Sequence, residues 1–227
     1  MNGIIIIDKP LGRTSHDMVY VMRKMTGIKK VGHTGTLDPE ATGVLPVCIG
    51  SATKVADMLT LSDKCYRAEL VLGMTTDTQD ADGEVLTECE VTCSEDEIRQ
   101  VIMSFVGEIE QIPPMYSAIK QNGKKLYELA RKGIEVERKS RKVTINSIDI
   151  LEINGERVTI DVSCSKGTYI RTLCEDIGMK LHVGAYMNTL RRTKTGPFTI
   201  EESHTLKEIE TLKNNGELEK IIIPVDR

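Results

Sequence analysis

The sequence predicts an α+β fold with a mostly antiparallel sheet. Several predicted strands follow one another without regular intervening helices, a pattern that favours antiparallel pairing over a doubly wound sheet. Two helices between or after the strands carry clear capping signals at their first residues. The chain has 227 residues, the length of one large domain or two small ones, and its 40% hydrophobic and 28% charged residues are typical of a globular protein.

The first predicted elements are a strand and a helix. Residues 3–8 are almost continuously apolar, as in a short buried strand. Thr14 or Ser15 can cap a helix whose methionines recur at spacings of four and three residues, and Gly27 ends it.

The later elements follow the same logic. Ser94 with Glu97 and Thr205 with Glu208 form capping boxes, each followed by apolar residues at helical spacing. Another helix is predicted to begin near Tyr169. Further strands are predicted at residues 66–73, 143–153 and 157–163, the last two joined by a turn at 154–156.

Charge is unevenly distributed, although the formal net charge is only −4. Residues 63–110 carry three cations and 13 anions, a net −10, whereas residues 111–145 carry nine cations and three anions, a net +6. The small total therefore excludes a globally basic nucleic-acid binder but not one basic surface. We expect the acidic block to face away from that surface.

The sequence gives little support for a membrane protein, a disulfide-bonded protein or a metal-binding protein. The longest plainly apolar run has four residues, so we expect no membrane segment. The six cysteines form no C-x-x-C pair and the four histidines are scattered, which predicts free thiols in a cytoplasmic protein and no metal site.

Residues 32–43 form the most informative segment. They contain three glycines, three threonines and Pro39, which pushes the preceding Asp38 out of helical geometry and fixes the direction of its carboxylate. A tight turn that only bonds its own backbone is the alternative. The segment is not a phosphate-binding P-loop, because no Gly-Lys-Ser/Thr follows.

Three further segments contain charged residues that could bind ions or RNA. Residues 76–83 resemble a calcium loop but lack its closing glutamate, which favours a solvated polar loop. Arg171 stands in the first turn of a predicted helix, where it opposes the helix dipole, so either a carboxylate lies nearby or it is a surface arginine. The block at 120–142, with nine cations and with Tyr116 and Tyr127 close by, suits an RNA backbone; a solvated helical face is the alternative.

Several motifs occur together in order along nearly the whole chain. They are DKPLG (8–12), GHTGTLDP (32–39), ATGVLP (41–46), KCYR (64–67), TDT (76–78), IPPMYSA (112–118), KGTYIR (166–171) and LRR (190–192). In this combination the chain closely resembles the TruB family of tRNA pseudouridine synthases, and the Asp38 segment is the most specific part of the match.

The resemblance implies a pseudouridine synthase fold around a central RNA-binding cleft. It implies an isomerase that converts uridine 55 in the T-loop of tRNA to pseudouridine, without cofactor or metal, after the base is flipped out of its stack. By resemblance, Asp38 is the nucleophile, Arg171 is its ion-pair partner, and Tyr66 packs against the base and takes the C5 proton.

The resemblance also implies a set of substrate-binding residues and a domain organisation. The predicted substrate contacts are His33, Tyr169, Leu190, Lys9 and Asp80. Residues 1–227 are expected to form the catalytic domain, with a basic RNA-binding segment near 116–145, and the usual C-terminal RNA-binding domain is expected to be absent or truncated.

Two alternative functions remain open from the sequence. A related synthase is guided by small RNAs to ribosomal RNA and depends on protein partners. A non-catalytic tRNA-binding or folding factor could use the same cleft. The expected partner is the T-arm of tRNA, with no obligate protein partner, and the expected state is a monomer.

Overall fold

Residues 1–225 are described by a computed structural model, with only the backbone at Asp57, and within them lie thirteen strands and six α-helices. The strands are β1 (Gly3–Lys9), β2 (Val31–His33), β3 (Ala41–Ile49), β4 (Lys64–Leu72), β5 (Met74–Thr76), β6 (Val85–Glu88), β7 (Gly107–Gln111), β8 (Lys120–Gln121), β9 (Lys124–Lys125), β10 (Arg141–Asn154), β11 (Arg157–Cys164), β12 (Ala185–Thr195) and β13 (Phe198–Thr199). The helices are α1 (Ser15–Thr26), α2 (Ala56–Thr60), α3 (Glu95–Met103), α4 (Leu126–Ala130), α5 (Ile170–Lys180) and α6 (Leu206–Asn214).

The chain divides into two compact units. Unit 1 contains residues 1–67 and the chain from 190 onward, and unit 2 contains residues 68–189. The last two residues of the predicted 1–227 domain lie outside the described part of the chain.

Unit 1 is built around β3. β1 pairs with it antiparallel from Gly3↔Ile49 to Lys9↔Gly43, and β2 pairs with it antiparallel as well. The part of β12 that belongs to this unit runs parallel to the start of β3, with Leu190 opposite Ala41. One apolar cluster consists of Ile4, Ile6, Val44, Cys48, Ala52 and Phe198, all buried.

Unit 2 contains the strand order β4-β11-β10-β7, in which β4 contributes its residues from 68 onward. β10 and β11 form an antiparallel hairpin that turns after Asn154, where Gly155 takes a left-handed φ of 60°. β7 pairs antiparallel with the beginning of β10. Helix α5 buries Ile170, Leu173 and Ile177 on one face.

The predicted α+β class with a mostly antiparallel sheet is confirmed. The helix starts at Thr14, Ser94 and Thr205 are confirmed too, because each side chain accepts the backbone N–H three residues on and each box closes. Strands β3 and β12 were not predicted. Gly43 and Pro46 in β3 are residues that usually interrupt strands, and β12 is rich in polar residues, so neither segment has a clear strand pattern.

Within the described residues, every helix is too short or too polar to traverse a lipid bilayer.

Candidate active site

Asp38 lies in an ordered turn between β2 and β3, and its side chain is exposed. The preceding residue, Leu37, is buried and held by the hydroxyl of Ser15 at the start of α1: the Leu37 N–H donates to Ser15 Oγ (2.8 Å), and Ser15 Oγ donates to the Leu37 carbonyl (3.0 Å). On the other side, the Asp38 carbonyl accepts from the Ala41 N–H. The backbone at Asp38 is thus fixed from both sides, while the residue itself is exposed.

Lys9 contacts the backbone of the same turn through its ammonium group. Its side chain is fully buried, and Nζ donates to the carbonyls of Pro10 (2.9 Å), Arg13 (2.5 Å) and Pro39 (3.2 Å). Burial lowers the pKa of Lys9 to about 8, while the negative charges of nearby carboxylates, Glu40 first and then Asp38, act to raise it. These contacts tie Lys9 to the nucleophile turn; its role in substrate binding stays a prediction.

Arg192 is a buried cation that sequence reasoning did not single out as a site residue. It is 1% exposed, and it donates from Nε to the Val44 carbonyl (2.8 Å) and from Nη2 to the Gly35 carbonyl (3.2 Å). It therefore links β12 to β3 and to the turn that carries Asp38. The LRR motif contained the signal, because two adjacent arginines in a strand place one of them on the buried face.

His33 and Tyr66, both in unit 1, are largely withdrawn from solvent. Burial first, and then electrostatic interaction with His16 and Arg192, lowers the pKa of His33, which favours the neutral imidazole. Within the described residues, His33 Nδ1 is buried and has no hydrogen-bond partner. Tyr66, on β4, is only 8% exposed. Leu190, the third predicted contact of this unit, lies on β12 opposite the first residue of β3.

In unit 2, Arg171 lies in the first turn of α5 and is 6% exposed. Its Nη1 pairs with Asp80 Oδ2 (3.2 Å), and its Nη2 donates to the Tyr116 carbonyl (3.2 Å). The prediction of a carboxylate beside Arg171 is confirmed, and the surface-arginine interpretation is wrong. The pairing of Arg171 with Asp38 that the resemblance implies stays a prediction.

The interpretation of residues 76–83 as a solvated loop is wrong for Thr76 and Asp80. Thr76 is buried, and the Asp80 carboxylate is engaged on both oxygens, because Oδ1 accepts from Thr78 Oγ1 (2.5 Å) and from the Asp82 N–H (3.2 Å) while Oδ2 meets Arg171. A string of acidic residues gave no sign that a buried arginine elsewhere in the chain would neutralise one of them.

Tyr169 immediately precedes α5, and Gln111 fixes its backbone. The amide of Gln111, at the end of β7, accepts the Tyr169 N–H at Oε1 (3.0 Å) and donates from Nε2 to the Tyr169 carbonyl (3.1 Å). Gln111 is 2% exposed. No local sequence signal identifies this contact, since the two residues are 58 positions apart.

The basic segment contains a short hairpin and one helical turn rather than a long helical face. β8 and β9 turn at Asn122 and Gly123, which both have positive φ, as expected for an Asn-Gly hairpin. The segment also lines a cavity of about 350 Å³. It is lined by Pro113, Ile119, Lys120, Gln121, Leu126, Glu137, Arg138, Lys139 and Arg141.

The expectation that the acidic block faces away from the basic one is wrong where β7 pairs with β10. Glu108 accepts a salt bridge from Lys142 (2.8 Å), and Glu110 accepts a hydrogen bond from Ser140 (3.2 Å). Strand pairing brings these residues together, so part of the +6 charge is balanced locally.

Among the described side chains, which are those of residues 1–225 other than Asp57, no group of three or more His, Cys, Asp or Glu is arranged to hold a metal ion. All six cysteines are free thiols, and Cys48, Cys164 and Cys174 are buried.

Two family models match the chain. The model described as TruB family pseudouridylate synthase, N-terminal domain, matches residues 23–170, and the tRNA pseudouridylate synthase B C-terminal domain matches residues 171–227. A protein of Alkaliphilus oremlandii named tRNA pseudouridine synthase B is 58% identical over 226 residues, which cover 100% of this chain and 75% of that protein. A namesake from Clostridium perfringens strain SM101 is 54% identical, with 100% and 76% covered.

Among solved structures, a Cbf5–Nop10–Gar1 complex contains a chain that matches with a TM-score of 0.77 and 37% identity over 98% of this chain. An H/ACA ribonucleoprotein bound to a substrate RNA containing 2′-deoxyuridine matches with a TM-score of 0.74 and 34% identity, also over 98%. This chain spans 60% and 59% of the length of those two chains.

Proposed function

Because the chain belongs to the TruB family of pseudouridylate synthases, we propose that it converts uridine 55 in the T-loop of tRNA to pseudouridine, with Asp38 as the nucleophile. The observation that carries the proposal is the Asp38 turn. An exposed carboxylate stands on a backbone that Ser15 and Lys9 hold rigid, as a preorganised nucleophile requires. Relatives named tRNA pseudouridine synthase B match the whole chain at 54–58% identity.

The reaction is an isomerisation that needs no other reactant. The bond between N1 and the ribose breaks, the uracil rotates, and a bond from C5 to the ribose forms, while C5 loses a proton and N1 gains one. In attack on the sugar, the carboxylate bonds to C1′ of the ribose as the N1–C1′ bond breaks, and C5 of the rotated uracil then displaces the carboxylate. Attack by Asp38 on the sugar or on the base fits the same balance.

The remaining predicted residues have roles that suit their surroundings. Tyr66 is nearly buried, as a residue that packs on a flipped uracil should be, and it takes the C5 proton. The neutral ring of His33 can occupy the apolar space that the base leaves, because a neutral imidazole loses less on leaving water than a charged one. Tyr169 and Leu190 line the uracil pocket in this proposal.

The proposed RNA partner is the T-arm, and the basic segment near 116–145 binds its backbone. Tyr127 supports this role because Lys125 and Arg131 lie over its ring, at 5.4 Å and 5.3 Å from the centroid, in a cluster of cations and an aromatic surface. A monomer without an obligate protein partner and a cytoplasmic location stay predictions.

A tritium-release assay tests the activity. The purified chain is mixed with a T-arm stem-loop that carries uridine labelled with tritium at C5, and only turnover releases the label. Asp38→Asn should abolish release and leave RNA binding within about twofold. Glu40→Gln is the matched control, since it removes an exposed carboxyl from the same turn, and it should keep wild-type release.

The outcomes separate the alternatives. Binding without release by the wild-type chain would identify a non-catalytic tRNA factor, and release by Asp38→Asn at a substantial rate would exclude Asp38 as the nucleophile. The solved relatives in complexes make an RNA-guided synthase the second candidate. That candidate predicts release only when a guide RNA and protein partners are added.

A further inference from the structure

Next to the Arg171–Asp80 pair lies a second contact between the 76–83 loop and α5. Gln79 Oε1 accepts from the hydroxyl of Thr172 (2.9 Å), and Gln79 Nε2 donates to the carboxylate of Glu175. Thr172 is buried, and Glu175 lies one turn further along the same helix. Consecutive loop residues, Gln79 and Asp80, therefore bind consecutive parts of one helix.

The backbone at Gln79 requires this support. Its φ of 66° is left-handed, a conformation that a side chain with a Cβ rarely adopts unless surrounding contacts enforce it. Its N–H donates to the Thr76 carbonyl (3.2 Å), and its carbonyl accepts from the Met187 N–H (3.0 Å). The neutral Gln79 side chain fixes this loop to α5 by hydrogen bonds to Thr172 and Glu175.

An amide side chain at position 79 suits both of its partners. A hydroxyl that donates and a carboxylate that accepts must be satisfied by one side chain, and an amide offers both an acceptor and a donor at its end. Burial raises the pKa of Glu175, and the hydrogen bond from Gln79 opposes that change. A carboxylate at position 79 would face Glu175 with like charge.

We propose that Gln79, through Thr172 and Glu175, is a positioning residue that sets the direction of the Asp80 carboxylate and hence of the Arg171 guanidinium. The proposal rests on the proposed function in taking Arg171 as part of the reaction centre. Gln79 itself touches no reacting atom in this account.

The positioning role of Gln79 is tested by exchanging the donor and the acceptor between positions 79 and 175. Gln79→Ala should lower kcat for tritium release about tenfold, equivalent to about 1.4 kcal/mol at the transition state, with KM within twofold. Gln79→Glu should lower kcat further. Adding Glu175→Gln to Gln79→Glu exchanges the amide and the carboxylate. Thr172 then still has an acceptor at position 79, and the amide at position 175 donates to that carboxylate. The kcat of the double variant should return to within threefold of wild type. Gln100→Ala, at an exposed position of α3, is the control and should match wild type.

A second measurement does not depend on activity. The Arg171 Nε–H signal in nitrogen-edited NMR spectra reports the setting of the guanidinium; it should move in Gln79→Ala and return in the double variant. An active wild-type chain whose Gln79 variants keep full kcat, or a double variant no better than Gln79→Glu alone, overturns the positioning role. An unmoved Arg171 signal overturns it too. An inactive wild-type chain with the expected NMR changes refutes only the proposed activity.

Discussion

Gly43 is the position where adding a single methyl group should do most damage to the nucleophile turn. Its φ is +105°, and a Cβ built on it would stand 2.2 Å from the carbonyl oxygen of Arg192, where real Cβ atoms essentially never come closer than 3.0 Å to another atom. The neighbouring atom is backbone, so no side chain can rotate away. Gly43→Ala must therefore separate β3 from β12 at the parallel pairing of 41–43 with 190–192.

The expected cost follows from two separate effects. Alanine at this φ carries strain of about 1–2 kcal/mol. Forcing apart two packed strands costs about 2 kcal/mol more, the usual range for overpacking in an interior. The free energy of unfolding should thus fall by about 3–4 kcal/mol. Because Ala41 lies only three residues after Asp38, tritium release should fall as well.

Gly27→Ala is a control that separates strain from collision. Gly27 ends α1 with a φ of +72°, and nothing lies within 4 Å of the Cβ that alanine would add. It should cost only about 1 kcal/mol in urea denaturation and leave tritium release intact. Equal losses for the two variants would mean that the contact between Gly43 and Arg192 does not govern the stability of this region, and the reasoning would be refuted.

Three further outcomes are expected. Burial, and then the charge of Glu175, raises the pKa of Asp176 to about 6, so its carboxyl binds a proton more tightly in the folded state and the free energy of unfolding falls as pH rises from 4 to 6. Asp176→Asn should therefore add about 1 kcal/mol to the free energy of unfolding at pH 7.5 and nothing below pH 4. An equal gain from Asp149→Asn, at an exposed position, would contradict this. Burial raises the pKa of Cys48 to about 11 and that of Cys174 to about 12. A disulfide reagent should therefore modify the exposed Cys89 rapidly and leave Cys48 and Cys174 unmodified until the chain unfolds. Modification of Cys48 or Cys174 in the folded protein would contradict this. Binding of the T-arm should weaken steeply with salt, measured as a negative slope of log affinity against log salt, and a flat slope would argue against phosphate contacts by the basic segment.

Local patterns identified the parts of the fold that depend on local chemistry. The capped helix starts at Thr14, Ser94 and Thr205 were predictable because each requires only a side chain and the backbone three residues away. Strands β3 and β12 were not, because their Gly, Pro and polar residues are acceptable only where a neighbouring strand supplies the partner. A strand's surroundings, more than its own sequence, decide whether it forms.

The candidate site divides in the same way. The order of motifs was enough to place the chain in its family and to select Asp38, Tyr66 and Arg171 for testing, since each motif is a continuous run of residues. That Arg171 is buried against Asp80, more than 90 positions away, depended on the folded chain. Sequence order records which groups are present, whereas the energy of a buried charge depends on which groups surround it, and only tertiary structure brings those groups together.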